Sequence, residues 1–164
     1  FGSESIVTSS DSSYRGIIST ALTDYVMKRG VHYATFKLSN TGVAILGVVR
    51  PLRDFGFVDE EEGFDLYDDK HFEAILAQRT DAWIGNMHCC HIASNGEVYW
   101  TDLQEYNDEE GFGAFDEGDV IGLLVDLNEG TLTVYKNGDR LGVAKDGLAG
   151  EYCFFRHCAM VVSA

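Results

Sequence analysis

Four consecutive residues, His88-Cys89-Cys90-His91, are all of metal-ligand type, and Cys153, His157 and Cys158 add more of the same near the other end of the chain. Imidazole and thiolate together suit zinc. On a strand, however, successive side chains alternate faces, so His88 and Cys90 point one way while Cys89 and His91 point the other. That run cannot converge on one ion by itself. A site pairing two of its members with the C-terminal cysteines is the metal alternative. The expectation is thiols packed as small apolar groups, with no metal and no cofactor.

Three further acidic patterns invite a chemical reading. Val58 to Asp69 holds seven acids in twelve residues, yet the order lacks the alternate oxygens, the central Gly and the closing Glu of a calcium loop. The partial match at Asp126-Leu127-Asn128-Glu129-Gly130 fails as well, because its twelfth position is Asn137. A solvated loop, or an electrostatic surface for a basic partner, is expected there. Glycosidases on lectin-like sandwiches set two carboxylates across a groove, commonly from a Glu-x-Asp-x-x-Glu strand. Here Glu117-Gly118-Asp119-Val120-Ile121 runs into Gly122, so the second catalytic carboxylate is missing. The sequence also has no Gly-x-Ser-x-Gly elbow, no phosphate-binding glycine loop and no His-Glu-x-x-His pair. No enzymatic activity is expected.

The elements that would position any site follow from composition and turns. The chain has 164 residues, 45% of them apolar and 12% aromatic, enough for one full core, and a net charge of −15. That charge repels phosphate backbones and anionic leaflets, which argues against nucleic-acid and membrane partners. No apolar run approaches the ~18 residues of a membrane span. Four cysteines, two of them adjacent, read as reduced thiols in an intracellular protein, cytoplasmic or nuclear. Phe1-Gly2-Ser3-Glu4 has no initiator Met and no secretory pattern, so the expectation is one monomeric domain over 1–164, excised from a longer chain.

Eighteen glycines against one proline suggest many reversing turns. From Asp119 onward an apolar strand, a turn at Asn128-Glu129-Gly130, a strand Thr131 to Tyr135, a type I′ turn at Asn137-Gly138 and a short strand Arg140 to Val143 read as a meander. His32 to Lys37 and Val43 to Val49 flank Asn40-Thr41-Gly42. Trp83 to Ile92 and Val98 to Trp100 flank Asn95-Gly96. Both pairs are expected as hairpins. From Asp68, Phe72, Ile75 and Leu76 fall at helical spacing, predicting two or three turns that cap one end of a sandwich. The acidic loop before it has little to bury. Trp83, Trp100, Tyr33, Tyr135 and Phe36 are expected in the packing.

The run GDVIGLLVDLNEGTLTVYKNGDRLGVAKDGLAGEY resembles the most diagnostic stretch of the SPRY domain family. Gly30-Val31-His32-Tyr33, Ile45 to Val49 with Pro51-Leu52, and Trp83-Ile84-Gly85 are similar to further family landmarks, and the likeness spans roughly Val7 to Phe155. The resemblance implies an all-β fold, a bent antiparallel β-sandwich of concanavalin A-like, jelly-roll type, with one short helix in an insertion. It also implies a non-catalytic protein-protein interaction module that binds a peptide or partner domain through variable loops. Two departures stand out: the C-terminal YCFFRHCAMVVSA predicts a shortened or altered last strand, and the acidic loop with its helix is longer than in compact members.

In peptide-binding members the pocket is built from the loop before an Arg-Gly, here Thr8 to Tyr14 before Arg15-Gly16, and from the loop after Pro-Leu. The resemblance thus points to Ser9, Asp11 and Tyr14, and to Arg53, Phe55 and Phe57, with Asn107 to Phe112 as a further loop. Arg50-Pro51-Leu52-Arg53-Asp54-Phe55-Gly56-Phe57 crowds two Arg and two Phe, the preferred anchors of recognition surfaces, just after a strand end. Phe57 matches a pocket aromatic that is a tyrosine in some members. A carbohydrate-binding or glycan-processing lectin-like sandwich is the alternative function, and a ligand-free structural domain is a third.

Overall fold

The computed structural model describes residues 18–38, 43–56, 64, 66 and 68–159, with the side chains of residues 18, 19, 106, 158 and 159 left aside. Ten strands account for most of it: β1 Ile18–Leu22, β2 Val31–Lys37, β3 Val43–Val49, β4 Cys89–Ala93, β5 Val98–Thr101, β6 Tyr106–Glu109, β7 Val120–Asp126, β8 Thr131–Lys136, β9 Asp139–Lys145 and β10 Cys153–Ala159. They form two antiparallel sheets, one ordered β1-β10-β3-β4-β5-β6 and the other β2-β7-β8-β9. The all-β sandwich read from the sequence is therefore the architecture.

Burial patterns explain the division. Strand β2 alternates exposed and half-buried residues, as a strand with one face in water must, whereas β3 is buried at nearly every position. The two belong to different sheets: β2 pairs with β7, and β3 lies between β10 and β4. The hairpin expected for this pair is instead a crossover between sheets, and residues 39–42, where its turn was placed, lie outside the described residues. Strands β4 and β5 do form a hairpin, with Ala93 N–H donating to the Glu97 carbonyl and Gly96 N–H to the Ala93 carbonyl. Pairing begins at Cys89, however, so Trp83 to His88 is loop rather than strand.

The meander β7-β8-β9 is present as expected, with β9 extended to Asp139–Lys145. Asn137 and Gly138 carry φ of 53° and 93°, the left-handed pair that a two-residue I′ turn requires. Asp119 ties this end together: its carboxylate accepts from the Asp116 N–H at 2.7 Å and Asn137 Nδ2 at 2.7 Å, and pairs with Lys136 Nζ at 2.9 Å. Those bonds, the Asp116 N–H first, hold its carboxyl at about 2, below the ordinary value. Asn137 Oδ1 in turn accepts the Val120 N–H at 2.9 Å. The scaffold role read for the Gly-Asp and Asn-Gly pairs is met.

Between the sheets lies the larger core, where Val48, Val98, Ile121, Leu123, Leu132 and Val134 have no exposed surface. Each such side chain contributes roughly 1.5–3 kcal/mol on burial. A second core covers the outer face of the six-stranded sheet: Val49, Cys89 and Phe155 project outward from it and pack against Phe64, Leu66, Ile75, Trp83 and Leu103. The helical segment consists of a 3-10 turn, Asp69–His71, continuing into α1, Phe72–Leu76, with Asp68 accepting the Lys70 N–H at its start.

This helix buries Ile75 over the sheet face rather than capping the sandwich's end. The acidic stretch likewise has something to bury, since Phe64 and Leu66 are both in this layer. The alternation read for the metal-like run holds, for Cys90 joins the core between the sheets and Cys89 the outer layer. No helix among the described residues is long and apolar enough to cross a membrane.

Two other expectations are corrected. Strand β10 is not shortened: it runs seven residues in the interior of the larger sheet, hydrogen-bonded to β1 and β3. And Tyr33, read as packing, is 53% exposed on the open face of the smaller sheet, edge-on to Tyr135 and lying over Gly122, where a Cβ would collide with its ring.

Candidate functional site

Strand β3 ends at Val49, and the next seven residues, 50–56, leave the sheet across the ends of β10 and β1. Arg50 anchors this exit. It is 1% exposed, and its guanidinium donates to four backbone carbonyls: Nε to Met87 at 2.9 Å, Nη1 to Ala149 at 2.6 Å and Glu151 at 3.1 Å, and Nη2 to Ile84 at 2.5 Å. It also stacks 4.1 Å over the Tyr152 ring. Burial lowers its pKa from the ordinary value, against the opposing influence of Tyr152. Arg50, one of the two arginines read as recognition anchors, is thus a structural tie among three segments.

Beyond Arg50 the chain is clamped from the helix side. Gln78, just after α1, accepts the Arg53 and Asp54 N–H groups on Oε1 at 2.8 and 2.9 Å and donates from Nε2 to the Asp54 carbonyl at 2.6 Å. The Asp54 side chain closes the next turn by accepting the Gly56 N–H at 2.8 Å. Three bonds from one side chain fix the backbone that presents Arg53 and Phe55. Replacing Gln78 with Ala is expected to leave the fold intact but to weaken any ligand held by Arg53 about tenfold, since the presenting loop loses its fixed geometry. Affinity and thermal melting measured together check this.

The loop so held forms one wall of a groove of about 490 Å³. Pro51, Leu52, Arg53 and Phe55 face Thr20, Leu22, Thr23, Asp24 and Val26 across it, with Phe64 and Cys153 completing the lining. Phe55 is 40% exposed and meets Phe64 edge-on, with ring centroids 5.3 Å apart. The Arg53 side chain is exposed, and no described residue pairs with its guanidinium. Burial, with the Glu151 and Asp24 carboxylates nearby, pushes the Cys153 thiol up to about 11, so it is a neutral wall rather than a nucleophile at physiological pH. An apolar trough that carries, among the described residues, the unpaired Arg53 and the Asp24 carboxylate is suited to noncovalent recognition.

Of the residues proposed from the sequence, the structure brings Arg53 and Phe55 into this groove. Ser9, Asp11, Tyr14 and Phe57 lie outside the described residues. Asn107 to Phe112 does not join it: Tyr106–Glu109 is β6, at the sheet edge opposite β1, and Phe112 packs on the core between the sheets. The residues missed were Leu22, Asp24, Gln78 and Cys153. Gln78 lies 25 positions from Arg53 and carries no motif, so only the packing of α1 reveals it.

Among the described residues the fold and the groove define an antiparallel β-sandwich with an open cleft beside one sheet edge. No protein-family model matches the chain, and no curated protein does so. The chain is similar to the SPRY domain of human HERC1, at 17% identity over 88% of this chain and 84% of that one, with a TM-score of 0.52. It has a SPRY-like fold. Weaker similarities are to the TRIM65 PSpry domain, 17% identical over 88% of this chain and 70% of that one with a TM-score of 0.48, and to the carbohydrate-binding module CBM66 from Bacillus subtilis, 8% identical over 89% and 78% with a TM-score of 0.47.

Proposed function

We propose that this domain is a non-catalytic protein-interaction module and that its ligand is a peptide segment of a partner, held in the groove between residues 20–26 and 51–55. The observation that carries this reading is the exposed Arg53, unpaired among the described residues, beside the half-open ring of Phe55 on a backbone fixed by Gln78. Arg and aromatic anchors on a rigid scaffold are what recognition surfaces use, because little side-chain or loop ordering remains to oppose binding. Arg53 takes a partner's carboxylate or carbonyl, and Phe55 with Leu52 takes an apolar side chain. The reading covers an intracellular setting and keeps Ser9, Asp11, Tyr14 and Phe57, which the family resemblance points to, as further partner-binding residues. A basic flank on the partner would meet the −15 charge of the chain.

The test is selection of short peptides from a random displayed library, at moderate salt so that the net charge does not dominate. Peptides that bind the wild type are expected to lose at least tenfold in affinity for a folded Arg53→Ala, Phe55→Ala double variant. Retention within twofold by the double variant would reject the site. The carbohydrate reading rests on a different surface, the exposed Tyr33 ring on the smaller sheet. A glycan array that returned a ligand abolished by Tyr33→Ala would favour it.

A further inference from the structure

We infer that the groove takes its peptide as an added β-strand, hydrogen-bonded to the free edge of β1. This rests on the groove being the binding site and specifies the shape of the ligand. Among the described residues strand β1 is the outermost strand of the six-stranded sheet, and β10 is the one strand it pairs with. In an antiparallel pair alternate residues turn both backbone groups toward the partner and the residues between turn theirs away. Thr23 N–H donates to the Phe154 carbonyl at 2.9 Å, so the set facing β10 is residues 19, 21 and 23. Thr20 and Leu22 face outward.

The outward set is competent to pair. Thr20 N–H already donates to the Phe64 carbonyl at 3.1 Å, from a segment lying alongside the edge. One step further along, about 7 Å on, comes Leu22, whose N–H and C=O point the same way and are taken by no described residue. Leu22 lines the groove. An unpaired strand edge is a template for another strand, and proteins usually blunt it with Lys, Pro or a bulge. The sequence of β1, Ile-Ser-Thr-Ala-Leu, contains none of the blunting residues, and the pocket walls instead converge on its end.

An extended peptide laid there gains backbone bonds from Leu22 and places alternate side chains against the wall made by Leu52 and Phe55. The charges on the rim set the sequence preference. Arg53 has no partner among the described residues, and Asp24 follows the strand end. The occupant is therefore an extended segment with an acidic side chain spaced from an apolar one, and a basic residue toward Asp24.

The probe is a peptide selected from the random library whose binding depends on Arg53. Amide exchange of the wild-type domain is followed with and without it, and the same peptide is N-methylated one position at a time. The expected result is that Leu22 N–H exchange slows at least tenfold on saturation, and that N-methylation costs tenfold or more at the single peptide position whose N–H reaches the Leu22 carbonyl, with its two neighbours tolerant. A peptide that keeps its Arg53 dependence but leaves Leu22 exchange unchanged, and tolerates N-methylation throughout, overturns strand addition while leaving the groove as the site. Failure to select any Arg53-dependent peptide overturns the groove reading itself.

Discussion

Acidification from neutral pH to about pH 4 is expected to unfold the domain, and two buried histidines account for most of the loss. His88 is 4% exposed, with neither ring nitrogen hydrogen-bonded among the described residues, its ring 5.4 Å from that of Trp83, and burial together with the Arg50 charge pushes its pKa down from 6.5 to about 3. His91 lies under the outer layer, stacked on Tyr99, and is lowered to about 3 by burial and by His157. Both folded values are depressed, so the unfolded chain binds more protons through the window from 6.5 down to 3. Stability contributed by the neutral rings is full above 6.5 and is withdrawn as the pH falls through that window.

At pH 4 the loss is on the order of 3 kcal/mol per histidine, about 6 kcal/mol for the two, against a typical domain stability of about 5–15 kcal/mol. Carboxylates held low, such as Asp119 at about 2, withdraw their share only further down, below an ordinary Asp pKa of about 4. Protonation of the other acids relieves the −15 charge and works the opposite way. Unfolding that starts above pH 5 therefore reports the histidines. In a pH titration followed by circular dichroism, His88→Phe is expected to move the midpoint at least half a unit lower, since it removes two unpaired nitrogens from an apolar site. An unchanged midpoint in a folded variant would show that His88 is not held neutral by burial.

Replacing Arg50 with Met is expected to cost about 4 kcal/mol. The aliphatic stem is roughly replaced, but the carbonyls of Ile84, Met87, Ala149 and Glu151 lose their common donor in a site with almost no access to water. A buried group stripped of its partner costs about 1–3 kcal/mol, and relaxation recovers part of the sum over four. The contact with the Tyr152 face is lost too. Arg50→Lys is expected to recover less than half, because an ammonium cannot span four acceptors arranged around a planar fork. Urea unfolding of the three proteins gives the comparison. A loss below about 1 kcal/mol for Arg50→Met would mean that these carbonyls find water when the guanidinium is gone.

The features legible in the sequence were those fixed by neighbours in the chain. The Asn137-Gly138 turn, the meander around it and the Asp119 tie all lie within a few tens of residues and rest on backbone geometry that few residue types satisfy. What was misread depended on distant partners. The turn signal at Asn40-Thr41-Gly42 is the same for a hairpin as for a chain passing between sheets, and only the burial of β3 on both faces tells them apart. Phe64 and Leu66 sit among acids, and nothing local shows that they cover the outer face of a sheet whose own residues include Cys89 and Phe155.

The candidate site divides along the same line. Arg53 and Phe55 could be named from residue type and position after Pro51-Leu52, since a loop leaving a strand end is where recognition residues gather. Arg50, three residues earlier, carried the same signal and proved to be a buried tie. Gln78, Asp24 and the open edge of β1 were silent, because each acquires meaning only when the sheet order puts β1 at the edge and α1 over the loop.

The claim that the groove is the recognition site is tested most directly by following the backbone amide spectrum of the isotope-labelled domain as an Arg53-dependent peptide is titrated in. The account predicts that the largest shifts cluster at residues 20–26 and 51–55 and at Cys153, with Tyr33 and Tyr135 on the smaller sheet unaffected. Shifts concentrated on Tyr33, Tyr135 and their neighbours, with the groove silent, would contradict it.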